Sequence, residues 1–325
     1  MRWPRARRCS RNKNILAMKP ILVTCYMNPD LDGVAGVTGY AEFLNKTGRS
    51  AVAGIFGQAH EETRYLLDRF KIKYPLALQN SDDYDEVVLV DASEIDILKG
   101  RVEVDKVVEV IDHRQVNEAN KFLKAKIQIE AVGSAATLVA ERFTKSDIEI
   151  SKEAAILIYG AIISNTLNFQ ATVTTERDRQ AAKWVNNSAQ LPEIFWEGLF
   201  VAKSDMTGAK LTERMYDKVA VYNMGGKKLS VTQIEMIGAG KLIEERKIEI
   251  IKILNEIKKE KSLDIVFLNL LELKDAKTFL VADDENTKEL VEKILSVKFA
   301  GQVAERSGLI MRKQIIPLLK EELEK

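Results

Sequence analysis

Between residues 20 and about 185 the chain alternates short apolar runs with stretches of helical spacing. The runs are strand-length and nearly continuous in apolar residues, which is typical of strands buried in a parallel sheet. We predict strands at Ile21–Thr24, Ala51–Ile55, Glu86–Val90 and Lys106–Ile111, and helices at Val34–Leu44, Glu61–Phe70, Ser134–Phe143 and Lys152–Ser164. This repetition predicts an α/β fold, a doubly wound parallel sheet with helices on both faces.

A second pattern follows a polar break near Asn186, Asn187, Ser188 and Pro192. Beyond it we predict strands at Val219–Tyr222, Leu229–Ile237, Ile265–Asn269 and Thr278–Val281, helices at Lys241–Lys259 and 287–295, and a closing segment Leu309–Ile316 followed by a short helix after Pro317. Residues 223–226 have the composition of a hairpin turn between the first two strands. The pattern predicts a smaller α/β domain with a mixed sheet.

The chain is therefore divided into four predicted parts: an extension at 1–17, a first domain at 18–187, a linker at 188–200 and a C-terminal domain at 201–325. The extension is rich in arginine and lacks acidic residues. Such a segment is typical of an organelle transit peptide, and a flexible basic tail has the same composition. We favour a third interpretation, a misassigned start with Met18 as the true beginning, because Met18 leads directly into the first strand.

The formal net charge of +1 hides an uneven distribution. Without the six basic residues of the extension, 43 basic residues stand against 48 acidic ones, so the body has a net charge of −5. That charge disfavours binding of a long nucleic acid. No apolar run is long enough to span a membrane. Because Cys25 is the only cysteine beyond the extension, we expect the reducing cytoplasm.

Acidic side chains follow three of the predicted strands. Asp30 and Asp32 come after the first, Asp91 ends the third, and Asp112 with His113 ends the fourth. The carboxyl ends of parallel strands form a ligand crevice, so we expect these groups to lie together. Carboxylates so close require a cation, and oxygen ligands with one imidazole suit Mn²⁺ or Mg²⁺. The alternative is that each Asp caps a helix, as Asp32 could do for the helix after it.

These strand ends resemble motifs of the DHH phosphoesterase superfamily and, within it, of the manganese-dependent family II inorganic pyrophosphatases. The similar stretches in the first domain are 26–32, 90–94, Asp112-His113-Arg114, 132–137, 162–167 and 174–176. In the second domain they are 202–205 and 311–317. The resemblance covers about residues 20 to 318. It implies hydrolysis of pyrophosphate to phosphate by a homodimer, through a site between the two domains.

The resemblance also implies roles for individual residues. Asp30, Asp32, Asp91 and His113 would bind metal, with Asn165 as a weaker ligand. Asp91, Asp112, His113 and Arg114 would be catalytic, and Lys203, Arg312 and Lys313 would bind the phosphates of a small-molecule substrate.

The chain departs from the family at several of these positions. Family histidines are replaced by Tyr26, Ala92 and Arg114, a metal-binding Asp by Asn165, and an Arg by Met311. The family binds two ions that share the equivalent of Asp91. The losses imply weaker binding, fewer ions than the family norm, and a shift from Mn²⁺ toward Mg²⁺, with Co²⁺ as a further candidate.

Two other functions remain open at this point. The chain could be a catalytically impaired homologue that binds phosphate or a nucleotide, which the lost histidines favour. It could also be a DHH phosphodiesterase for a short oligonucleotide or cyclic dinucleotide, although the second-domain motifs are of the pyrophosphatase type.

Overall fold

The computed structural model describes residues 19–114 and 117–325. The prediction for residues 1–17 and the start at Met18 lies outside these residues. The strands of the first domain are β1 (Ile21–Thr24), β2 (Ala51–Phe56), β3 (Leu76–Leu78), β4 (Val87–Val90), β5 (Val107–Asp112) and β6 (Lys126–Ile129). Its helices are α1 (Leu31–Lys46), α2 (Glu61–Phe70), α3 (Ala135–Lys145), α4 (Lys152–Asn165), α5 (Glu176–Ala189) and α6 (Phe195–Lys203).

The first domain is built on a six-stranded sheet of order β3-β2-β1-β4-β5-β6, in which every pairing is parallel. This confirms the predicted parallel sheet and its doubly wound strand order. The strand order reverses between β1 and β4, so loops at their carboxyl ends diverge and leave a crevice there. The predicted carboxylates lie at this end of β1, β4 and β5.

The two faces of this sheet are covered differently. The helices α1 to α6 pack on one face, where Val34, Leu66, Leu157 and Phe200 belong to one continuous core. The other face packs against short connections that contain the 3₁₀ turns Asp96–Leu98, Val104–Lys106 and Ala119–Lys121. The expectation of helices on both faces is therefore corrected to α-helices on one face and 3₁₀ turns on the other.

The second domain begins after α6. Its strands are β7 (Val221–Met224), β8 (Lys227–Met236), β9 (Ile265–Glu272), β10 (Lys277–Val281), β11 (Phe299–Ala300) and β12 (Val303–Ser307). Its helices are α7 (Lys210–Asp217), α8 (Ala239–Glu260), α9 (Glu285–Leu295) and α10 (Arg312–Leu323). The sheet order is β11-β12-β10-β9-β8-β7, with β8 and β9 parallel and the other pairs antiparallel, as predicted for a mixed sheet.

The break predicted near residues 186–188 and Pro192 lies only at its later end, because residues 186–188 are inside α5 and the helix ends at Ala189, before Pro192. Residues 188–200, assigned to a linker, include the end of α5 and the first part of α6. Phe195, Leu199 and Phe200 of α6 are buried in the core of the first domain. The polar residues of α5 suggest a break and the start of α6 a linker, but both segments are helices. The local sequence does not indicate this, because the burial of a helix depends on the element against which it packs.

The closing segment is also different from the prediction. Residues 312–316, expected to precede the last helix, form its first turns, and Pro317 lies within α10. Ile315 and Leu319 are buried against the sheet, and this packing outweighs the hydrogen bond that proline cannot donate. Within the described part of the chain, no helix is long and apolar enough to cross a membrane.

Candidate metal centre and interdomain cleft

Asp32 lies in the first turn of α1 and is fully buried. Its carboxylate accepts hydrogen bonds from Ser134 Oγ at 2.7 Å and from the backbone N–H groups of Ala135 and Ala136, each at 2.9 Å. These groups form the N-terminus of α3, where the helix dipole favours a negative charge. The alternative role of Asp32, capping of α1, is not observed, since Asp30 is the N-cap of that helix.

Asp91 follows β4 and adopts a left-handed backbone conformation with φ of 57°. Its side chain is buried, and its Oδ1 atom has no hydrogen-bond partner among the described residues. Burial, reinforced by the charge of Asp32, raises the pKa of Asp91 above its ordinary value. A buried carboxylate oxygen without a hydrogen bond is costly, and among the described residues this one is offset only by the charged groups of Arg114 at 3.2 Å and His113 at 3.5 Å.

His113 follows β5 and directs its two ring nitrogens at different partners. Nδ1 lies 3.0 Å from the carbonyl oxygen of Val132, so the proton on Nδ1 is held there. Nε2 lies 3.6 Å from Asp32 Oδ2 and 3.5 Å from Asp91 Oδ1. The ring nitrogen that points at the two carboxylates is thus the one available to a metal ion.

The three residues form a set that fits one divalent cation. Ligand atoms of Asp32, Asp91 and His113 all lie within 4.8 Å of one another. Bonds of about 2.1 Å place two ligands of one ion no more than about 4.2 Å apart, which the separations from His113 satisfy. Two carboxylates and one imidazole are suited to Mn²⁺ or Mg²⁺.

Arg114 lies against the same carboxylates. Nη1 donates a hydrogen bond of 2.6 Å to the carbonyl oxygen of Asp91, and Nη2 is 3.2 Å from Asp91 Oδ1. Nη1 is also 3.5 Å from Asp112 Oδ2. The guanidinium stacks over the ring of Tyr26, with 5.3 Å between its carbon and the ring centroid. A fixed positive charge therefore already offsets part of the negative charge of this cluster.

The remaining candidates from the strand ends have other partners. Asp30 accepts from the N–H groups of Asp32 and Gly33 and caps α1. Asp112 accepts from Ser93 Oγ and from the N–H groups of His113 and Arg114, so it supports the loop that carries them. Neither belongs to the close ligand set.

Asn165, the last residue of α4, reaches the same set from the helical side. Its Nδ2 donates a hydrogen bond to Asp32 Oδ2 at 2.5 Å. The amide is thus adjacent to the proposed metal position, but it contacts Asp32 as a donor.

Lys203 ends α6 and is directed toward the first domain. Its Nζ lies 3.4 Å from Glu62 Oε2 and 3.4 Å from Ser164 Oγ. Glu62 is buried and accepts a further hydrogen bond of 2.7 Å from Ser164. Burial would lower the pKa of Lys203, but the charges of Glu62 and Glu235 raise it, so the side chain stays cationic.

A cleft of about 850 Å³ lies between the two domains, and Lys203 is part of its wall. Its lining also includes Asn28 and Glu62 from the first domain and Lys218 and Glu235 from the second. The cluster of Asp32, Asp91 and His113 is not part of that lining. The structure thus places one predicted phosphate-binding residue, Lys203, in the cleft.

Arg312 and Lys313 lie at the start of α10 and do not line the cleft. The guanidinium of Arg312 donates to the carbonyl oxygens of Lys218 at 2.9 Å and Val231 at 3.2 Å. Lys313 is exposed, and partial desolvation lowers its pKa.

Several residues that hold the site in place were not identified from the sequence. Asp178 is buried and accepts from the N–H of Gly133 and from Thr137 Oγ1, which fixes the loop before α3. Glu62 and Ser164 hold Lys203. Their partners are about 40 to 140 positions away in the chain, so no local pattern indicated these contacts.

Comparison with known proteins shows two domain matches. Residues 20–162 match the DHH family, N-terminal domain, and residues 197–322 match the DHHA2 domain. The probable manganese-dependent inorganic pyrophosphatase of Clostridium acetobutylicum is 29% identical over 306 residues, which cover 94% of this chain and 98% of that protein. The manganese-dependent inorganic pyrophosphatase of Bacillus subtilis is 28% identical over 305 residues, which cover 93% and 98%.

The fold also has a counterpart among solved structures. A Methanococcus jannaschii protein assigned to family II inorganic pyrophosphatase is similar with a TM-score of 0.67 and 26% sequence identity. The match covers 94% of this chain and 100% of that one. Both domains therefore have the same relatives, in the same order along the chain.

Proposed function

This chain belongs to the DHH phosphoesterase superfamily, and we propose that it hydrolyses inorganic pyrophosphate to phosphate with the help of a divalent metal ion. The observation that carries the proposal is the convergence of Asp32, Asp91 and His113, from the ends of three parallel strands, into one ligand set. The manganese dependence of relatives from Clostridium and Bacillus supports Mn²⁺, with Mg²⁺ and Co²⁺ as the other candidates.

Residues of the first domain would hold and orient the ion. Three donors at the N-terminus of α3 fix Asp32, and the carbonyl of Val132 keeps the Nδ1 proton of His113, which leaves Nε2 free to bind. When bound, the ion supplies a Lewis acid that polarises the attacking water and the phosphate oxygens. Asp112 positions His113 and Arg114 through their backbone N–H groups.

Cationic side chains would bind the phosphates. Lys203 is held in the cleft wall by Glu62 and Ser164. We propose that Arg312 and Lys313 contribute from the second domain when substrate binds. Charge on the leaving phosphate is offset by these groups. A homodimer through the first domain and a cytoplasmic location belong to the same proposal.

Phosphate release from pyrophosphate tests this function, with Mn²⁺, Mg²⁺ and Co²⁺ supplied in turn. We expect release with at least one ion and its loss, by 100-fold or more, in Asp91→Ala, on the order of the effect of removing a metal ligand. Asp83→Ala, which removes an exposed carboxylate before β4, is the matched control and should retain activity. Release without any added divalent ion, or release that is unchanged in Asp91→Ala, would contradict the proposal.

Binding of phosphate without turnover is the second candidate function. It is favoured by the contacts of Arg114 with Asp91 and of Asn165 with Asp32, which occupy carboxylates that an ion needs. Absence of phosphate release with all three ions, together with thermal stabilisation by phosphate that Lys203→Ala removes, would establish this candidate in place of the first.

A further inference from the structure

We propose that the Arg114 guanidinium is a built-in cation of the metal centre, and that the chain consequently binds a single divalent ion, at Asp32, Asp91 and His113. The inference rests on the proposed metal-dependent function and specifies the number of ions in that site. It can be tested by ion binding alone, without turnover.

The first argument is the position of the guanidinium. Arg114 contacts Asp91 twice, through the carbonyl oxygen at 2.6 Å and through Oδ1 at 3.2 Å, and it reaches Asp112 Oδ2 at 3.5 Å. The same Oδ1 atom lies 3.5 Å from His113 Nε2, so it is shared by the imidazole of the proposed ligand set and the permanent cation of Arg114. A second metal ion at this carboxylate would have to compete with Arg114 for its oxygens.

The second argument is that Arg114 is held in place. Its ring partner Tyr26 is largely buried, and the Tyr26 hydroxyl accepts a hydrogen bond from the N–H of Asp30 at 3.3 Å. Burial, with the nearby charges of Asp30 and Asp91, raises the pKa of Tyr26, so it remains a neutral phenol. A neutral phenol is a weak metal ligand but a good stacking partner for guanidinium.

The third argument is the charge of the buried groups. Asp32, Asp91 and Asp112 are almost completely buried and carry three negative charges when ionised. One divalent ion together with Arg114 balances these three charges, with His113 neutral as a ligand. A second divalent ion would leave two uncompensated positive charges in a buried site, which is costly. Asp30 does not change this balance, because it is only half-buried and pairs with the N-terminus of α1.

The fourth argument concerns the ligands themselves. Among the residues that the structure describes, Asp32, Asp91 and His113 are the only group of three carboxylate, imidazole or thiol ligands close enough to share an ion. Arg114 cannot join them as a ligand, since a guanidinium has donors only and keeps its proton.

The test is the number of Mn²⁺ ions that the full chain binds. Equilibrium dialysis with elemental analysis should give one Mn²⁺ per chain at saturation, and electron paramagnetic resonance should show an isolated ion without exchange coupling. In Arg114→His, which removes the charge and adds an imidazole, the stoichiometry should rise to two and the spectrum should show coupled ions. Two coupled ions in the unmodified chain, or one ion in Arg114→His, would overturn the inference.

Two further variants control for folding and for non-specific effects. Arg114→Lys retains the charge and should keep a single ion, whereas a second ion in this variant would contradict the role of charge. Arg64→His introduces a histidine in the cleft wall, whose lining does not include Asp32, Asp91 or His113. This variant should leave the stoichiometry at one Mn²⁺ per chain. If Arg114→His does not fold, the unmodified chain and Arg114→Lys still decide the question.

The outcomes separate this inference from the proposed function. One bound ion with no phosphate release refutes hydrolysis and supports the single-ion site. Two bound ions with phosphate release refute the single-ion site and support hydrolysis.

Discussion

At Asn165 an amide stands where the resemblance to the family leads one to expect a carboxylate. This difference changes how the residue interacts with Asp32 in the proposed metal site. The amide Nδ2 donates a hydrogen bond to Asp32 Oδ2, so it stabilises the carboxylate in the absence of metal. A carboxylate in its place would repel Asp32 until a cation bridged the two. An amide at this position therefore favours the stability of the metal-free chain, whereas a carboxylate would favour metal affinity.

We expect Asn165→Asp to lower the melting temperature of the metal-free chain and to enlarge the increase produced by Mn²⁺. The loss without metal should be about 1–3 kcal/mol, the usual effect on a buried charged hydrogen bond. Thermal unfolding with and without Mn²⁺ measures both effects. Asn187→Asp, at an exposed position of α5, is the control. An unchanged metal-free melting temperature would show that the contact with Asp32 is not stabilising.

The pH dependence of metal binding follows from Asp91 and His113. Burial and the charge of Asp32 raise the pKa of Asp91. Burial alone would lower the pKa of His113, but its hydrogen bond with Asp91 and the charge of Asp32 raise it. A metal ion needs both groups without their titrating protons, so lower pH favours the protonated, metal-free site.

Mn²⁺ affinity should accordingly increase with pH between 6 and 8, by about tenfold per pH unit for each proton released. Calorimetric titration in buffers of different ionisation enthalpy measures both the affinity and the number of protons. An affinity that does not change over this range, with no proton release, would contradict the assignment of these residues as ligands.

Among the helices, α5 stabilises the surroundings of the proposed metal site through residues at its N-terminus. Asp178 completes a capping box with Thr175 and also binds Gly133 and Thr137, so it connects α5 with the loop that leads into α3. A Cβ atom at Gly133 would lie 2.6 Å from Thr166 and 3.0 Å from Asp178, so only glycine allows this approach. The loop carries the carbonyl of Val132 that orients His113.

Asp178→Ala should lower the free energy of unfolding by about 3 kcal/mol, because it leaves several buried donors without an acceptor. It should also weaken Mn²⁺ binding, since the Val132 carbonyl and the α3 N-terminus lose their support. Denaturant unfolding and Mn²⁺ titration measure the two effects. Asp83→Ala, at an exposed position before β4, should alter neither by more than a small fraction of this amount. Equal losses in both variants would argue against the specific role of Asp178.

The helices also show where local sequence was insufficient. Residues 61–70 were predicted with the observed bounds because their apolar positions have clear helical spacing. By contrast, the sequence predicts that the last helix begins after Pro317. In the structure α10 is continuous through Pro317, because the tertiary contacts of Ile315 and Leu319 stabilise it. Local signals are reliable where packing agrees with them and fail where packing overrides them.

At the scale of the whole molecule, charged pairs connect the two domains across the cleft. Glu61 of α2 pairs with Lys210 at 2.8 Å and with Arg214, both on α7. Partial burial would raise the pKa of Glu61, but the hydrogen bond from Lys210 and the charge of Arg214 lower it. The contact is therefore present above the ordinary pKa of a glutamate and is lost as the pH falls through the lowered value.

Glu61→Gln should loosen the association of the domains at neutral pH and make their arrangement less sensitive to salt. Small-angle scattering at low and high ionic strength would detect this as a larger radius of gyration in the variant and a smaller salt effect. Glu213→Gln, exposed on α7 in the same cleft, is the matched control. A variant with the same radius and salt response as the unmodified chain would show that these pairs do not hold the domains together.

The sequence alone determined the four central strands of the first-domain sheet, β1, β2, β4 and β5, and the end of the sheet at which the acidic groups meet, but not the edge strands β3 and β6. Strand pattern is a local property, and parallel strands bring their carboxyl ends together whatever the remaining contacts are. It also sufficed for the family, because the motifs occur in order over both domains. The strand ends and motifs accordingly predict candidate metal ligands at Asp32, Asp91 and His113 without any knowledge of the distances between them.

The partner of each charged group was decided only by the tertiary structure. Asp32 contacts the N-terminus of α3 from more than 100 positions away, and Lys203 meets Glu62 from about 140 positions away. Only the folded structure shows that the Arg114 guanidinium contacts Asp91 and stacks on Tyr26. A charge acts through distance and burial, and both are properties of the folded chain.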